Sequence, residues 1–140
     1  MCLTTPMRRA KVAEENIVCY KLVCRRTRGM RLGNYKSYFR KFVYQLGMTY
    51  TEHKFKKDVS HTRDYSNEMY EVNSGFHSYI NIIYPENHQT LLKCIIPKGS
   101  LYYESLPCLF PQYCSNQIKI VAEWRKHKWV ENFEQEKEKK

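Results

Sequence analysis

The sequence predicts an α+β fold: a single domain on a mixed, largely antiparallel sheet, with few short helices and a C-terminal helix. Three observations predict it. Runs rich in β-branched and aromatic residues recur from Ile17 onward. The connections between them are mostly too short for βαβ crossovers. The final stretch, WRKHKWVENFEQEKEK, has apolar residues at helical spacing.

Taken in order, IVCYKLV (Ile17 to Val23) reads as a buried strand that runs into the basic loop CRRTRGMR. FVYQLGMTYT (Phe42 to Thr51) reads as a strand, a turn at Leu46-Gly47 and a second extended segment. The polar section from Glu52 to Asn73 reads as a long loop. FHSYINIIYPEN fits the strand and helix periods equally poorly, and Pro85 ends whichever forms. LLKCIIPKGSLYY (Leu91 to Tyr103) gives a buried strand, a Pro-Lys-Gly-Ser turn and an extended aromatic pair. NQIKIVAEW alternates from Gln117 to Val121 as a further strand. In the last stretch, Trp124, Lys128 and Glu131 fall on one side of a helix, with Trp129 and Phe133 at i, i+4. The domain is expected over 1–130, and 131–140 is a charged, frayed tail.

A chain of 140 residues is long enough to bury one sizeable core. No apolar run approaches bilayer-spanning length, and MCLTTPMRRAKVAEEN carries charges where a signal peptide needs its apolar centre. The expectation is a soluble, cytoplasmic protein of the host cell that makes it, with no membrane partner. The six cysteines then read as reduced thiols, Cys19 and Cys94 as small core residues. The spacings Cys19-x4-Cys24 and Cys108-x5-Cys114 lack a zinc knuckle, so no metal is expected.

The formal net charge is +10, and it is unevenly placed. Met1 to Leu46 holds eleven lysines and arginines against two acids, a field that attracts polyanions, nucleotides or an acidic partner. Within it, Arg25, Arg26, Arg28 and Arg31 form a cluster of the residue type best suited to bidentate phosphate contacts. Tyrosines beside these charges, Tyr35 and Tyr38 among them, supply rings that stack on bases. In SGFHSY, Gly75 turns the backbone, Phe76 goes inward, and His77, Ser78 and Tyr79 are candidates to meet a ligand. Lys98, in the Pro-Lys-Gly-Ser turn, adds a cation near backbone N–H groups. No Gly-rich phosphate loop, G-x-S-x-G elbow or H-E-x-x-H helix is present, and no catalytic residue or cofactor is implied.

The ordered motifs CYKLV, Y-x-L-G-x-T-Y (Tyr44 to Tyr50), GFHSY, KCIIPKGSLYY and YCSNQIKI resemble those of small proteins encoded by bacteriophages and gut bacteria, over roughly Ile17 to Val121. A more distant likeness is to ADP-ribosyltransferase-type folds, with a histidine-bearing strand and a later Ile-Pro-x-Gly-Ser turn. That resemblance implies a nucleotide cleft, but the third element here reads Ser-Asn-Gln-Ile, without the Glu-x-Glu pair of such enzymes.

The functional expectation is therefore a phage-associated, non-enzymatic binding protein that captures a small phosphorylated ligand or nucleotide, such as a host-defence signal. Arginines would hold phosphates, Tyr35, Tyr38 or Tyr79 would stack on the base, and His77 with Ser78 would touch ribose or phosphate. The first alternative is a binder of nucleic acid or of an acidic host protein. The second is a degenerate transferase using Glu104 or Glu71 as its acid. Homo-oligomerisation is compatible with each.

Overall fold

The computed structural model describes residues 3–24, 34–36, 43–57, 70–72, 74–105 and 108–131. Their strands, in chain order, are β1 (Leu3–Thr5), β2 (Lys11–Val12), β3 (Ile17–Cys24), β4 (Asn34–Lys36), β5 (Val43–Gln45), β6 (Thr49–Thr51) and β7 (Tyr70–Val72). They continue as β8 (Phe76–Tyr79), β9 (Gln89–Ile96), β10 (Leu101–Glu104), β11 (Gln112–Ser115), β12 (Gln117–Arg125) and β13 (Lys128–Val130). No helix occurs among the described residues, so none there is long and apolar enough to cross a membrane.

The expected α+β class is thus corrected to an all-sheet architecture in which every strand pair is antiparallel. The expected C-terminal helix is replaced, as far as Glu131, by a hairpin. Lys126 and His127 take positive φ values of 51° and 65°, the backbone that a two-residue hairpin turn requires at both central positions. Trp124 and Trp129, which look like neighbours on a helix, are instead directly opposite each other on β12 and β13. Their rings meet edge to face with centroids 5.1 Å apart. That cross-strand aromatic pair contributes roughly 0.2–1 kcal/mol against a left-handed backbone strain of about 1–2 kcal/mol per turn residue. The remainder of the supposed helix, 132–140, lies outside the described residues.

The sheet rolls up because two long strands bend. β9 and β10 are successive halves of one arm, broken at Pro97–Ser100, and β11 and β12 are halves of another, broken at Asn116. β9 pairs with β12 and β10 with β11, so the arms form one bent hairpin. β3 pairs with β9 along its length and with β8 at Tyr20, and β8 pairs with β11, which closes the path. The bend is tied by Gly99 N–H to Ala13 O (2.8 Å), Ala13 N–H to Ser100 O (2.8 Å) and Asn116 N–H to Leu101 O (3.0 Å).

Inside the roll, alternation directs Cys19 and Val23 of β3, Leu92, Cys94 and Ile96 of β9, and Ile118 and Ile120 of β12 into one core. Burial of such side chains contributes roughly 1.5–3 kcal/mol each. A second core lies on the other face of β8, β11 and β10. There the β1–β7 pair covers Tyr103 and Cys114 with Leu3 and Val72, joined by Met7, Phe55 and Tyr70.

Candidate functional site

The candidate residues of the Gly-Phe-His stretch separate onto opposite faces of β8. Paired residues share a face, so Tyr79, opposite Tyr20, lies on the side away from Cys19. His77 shares that side. Phe76 goes inward against the main core, and Ser78, 3% exposed, turns in with it toward Cys19. Burial pushes the Cys19 thiol up to about 11, opposed by the Ser78 hydroxyl and Lys21. Burial also raises Cys94, the cross-strand partner of Cys19, well above the ordinary thiol range.

Lys21 is the charged member of this interior. Its Nζ donates to the His77 carbonyl at 2.5 Å and lies 5.2 Å from the centre of the Tyr44 ring. Desolvation lowers its pKa, opposed by Cys94, Cys19 and Cys114. These thiols and this amine are closed inside the roll, where a buried cysteine is inert.

His77 meets the second core. It is the cross-strand partner of Cys114, whose Sγ lies 3.9 Å from His77 Nε2 and donates to the Ser74 carbonyl at 2.8 Å. Tyr35 is 1% exposed and packs in the main core, so its ring faces are covered. Lys98 is exposed at the bend, but the turn's amides are already engaged. Lys98 N–H donates to Asn16 Oδ1 (2.9 Å), Gly99 N–H to Ala13 O (2.8 Å) and Ser100 N–H to Pro97 O (3.0 Å). Arg25, Arg26, Arg28, Arg31 and Tyr38 lie outside the described residues. Tyr35, His77, Ser78, Tyr79 and Lys98 are therefore not brought to one place.

Where rings and charge do converge is the outer face of β3, β9, β12 and β13. Tyr20 stacks on Trp129 with centroids 6.0 Å apart and planes at 26°. Lys93, opposite Tyr20 on β9, holds its Nζ 5.8 Å from the Trp129 ring. Trp124 packs edge-on against Trp129 and against Tyr84, which is 72% exposed. A bulge between Ile120 and Ala122 makes this face possible. Before it Ile120 pairs with Cys94, and after it Ala122 pairs with Lys93. Without the extra residue, Trp124 would point to the side of Cys94; with it, Trp124 shares the side of Lys93.

This outer face continues into a cleft of about 300 Å³ between the segments after β8 and before β11. Tyr79, the one expected contact among the described residues that reaches it, lines the cleft together with Asn81, Tyr84, Leu109 and Phe110. Ile80 N–H donates to Pro111 O at 3.0 Å and ties the two segments together. Sequence reasoning missed the tryptophan pair because it placed Trp124 and Trp129 on a helix. The only signal that separates the two arrangements is the alternation of β12 continuing to Arg125.

Fold and face together define an all-β domain with a half-buried aromatic, lysine-bearing face that reaches the solvent at Tyr84. Comparison of the chain with protein-family models, curated proteins and solved structures finds no match.

Proposed function

We propose that the chain is a non-enzymatic binding protein that takes single-stranded nucleic acid on the outer face of β3, β9, β12 and β13. The carrying observation is the layered Tyr20, Trp129 and Trp124 set with Lys93 beside it. Single-strand binders combine rings on which bases stack with cations that follow the phosphates. The net charge of +10 favours a polyanion, and Lys119, paired with Ile95 on the side of the sheet that Lys93 shares, adds a second cation to the face. Capture of a mononucleotide has weaker support, because Tyr35 and Ser78 are turned into the core.

Titration with a single-stranded oligonucleotide, followed by tryptophan fluorescence, tests the proposal. Saturable quenching that disappears in Trp129→Ala is the expected result. Unchanged fluorescence at saturating oligonucleotide overturns it.

A further inference from the structure

We infer that the cleft beside Tyr79 holds one unstacked nucleobase of the bound strand; this rests on the function proposed above and names what its site selects. The cleft is lined by the rings of Tyr79, Tyr84, Phe110 and Pro111 together with Ile82, Ile83 and Leu109. Leu109 is 84% exposed and Phe110 52%, an apolar edge left in water beside the opening. At about 300 Å³ the space is at the lower end of small-ligand pockets. A single planar ring system fits it.

Two features favour a base over a neutral apolar ligand. Asn81 is the amide-bearing side chain of the lining, and its carboxamide offers a donor and an acceptor side by side, the pattern that pairs with adenine. Among the described residues, no carboxylate lines the cleft, which favours approach of a phosphate chain. Tyr84 also links the two surfaces, since it lines the cleft and packs against Trp124 with centroids 6.4 Å apart. A strand stacked on the tryptophans can therefore turn one base past Tyr84 into the space.

The test compares the affinities of wild type, Asn81→Leu, Phe110→Ala and Trp129→Ala for ten-nucleotide homopolymers of each base, after thermal melts confirm folding. Wild type is expected to prefer adenine by about five- to tenfold, on the scale of one bidentate base contact. Asn81→Leu and Phe110→Ala should erase the preference while keeping general binding, and Trp129→Ala should weaken binding to all four polymers. General binding without any base preference, or a preference that survives both cleft variants, overturns the cleft assignment and leaves the proposed function standing. Failure of wild type to bind any polymer overturns both.

Discussion

His77 and Cys114 face each other across β8 and β11, with Nε2 and Sγ 3.9 Å apart, on the side of the sheet opposite Ser78. The histidine is thus part of the second core's wall. Replacing His77 by alanine is expected to lower stability by about 1–3 kcal/mol, through lost packing and unpaired polar groups, and to leave oligonucleotide affinity unchanged. Urea denaturation beside a binding titration checks this. Lost affinity at unchanged stability would make His77 a ligand contact.

Gly75, just ahead of that strand, has φ +104°, and a Cβ there would lie 2.7 Å from the Ser115 carbonyl oxygen and 2.8 Å from the Phe55 ring. Gly47, at φ +86°, has open space around the same position. Gly47→Ala should cost about 1–2 kcal/mol from backbone strain alone. Gly75→Ala should cost more, roughly 3 kcal/mol or above, because strain and overlap act together. Denaturation midpoints of the two variants give the comparison, and equal losses would contradict the packing described at Ser115.

The hairpin turn offers a gain. Lys126 and His127 pay for their positive φ, so replacing them with Asn-Gly should stabilise the chain by about 1 kcal/mol while keeping the Trp124–Trp129 pair. A higher melting temperature with retained tryptophan exciton signal in circular dichroism is the expected result. Destabilisation would argue for helical structure there.

Stability should fall as pH rises above about 9. Cys19 is raised from 9.0 to about 11 and Cys94 is raised as well, so the unfolded chain releases these protons first. The stabilising contribution of the protonated thiols is complete below pH 9 and is lost as pH climbs through the folded values, by up to ~1.4 kcal/mol per pH unit for each thiol. Lys21 acts in the opposite sense. Its folded pKa is lowered from 10.5, so the folded chain loses that proton first and stability gains between the two values. Lys21→Met should therefore steepen the alkaline fall, and Cys19→Ala should flatten it. Urea midpoints from pH 7 to 11 measure both slopes, and identical slopes in the three proteins would contradict these environments.

Much of the sheet was legible because its long strands carry their own signal. Ile17 to Val23, Leu91 to Ile96 and Gln117 to Val121 alternate or run apolar, and all three lie within strands. The hairpin at Lys126-His127 was not legible, because those residues give none of the usual turn chemistry and the tryptophans fit a helical spacing. For the same reason the outer face escaped notice. It depends on a one-residue bulge at Val121, which composition does not announce, and on rings separated by more than a hundred residues, from Tyr20 to Trp129. Burial of Tyr35 and Ser78 was equally hidden, since a tyrosine or serine on a strand suits either face.

The most direct test of the proposed function is fluorescence anisotropy of a labelled single strand and its duplex, titrated with the protein at several salt concentrations. The account predicts tighter binding of the single strand, an affinity that falls with salt, and a salt slope reduced by about one in Lys93→Gln. Equal affinity for strand and duplex, unaffected by Trp129→Ala, would contradict it.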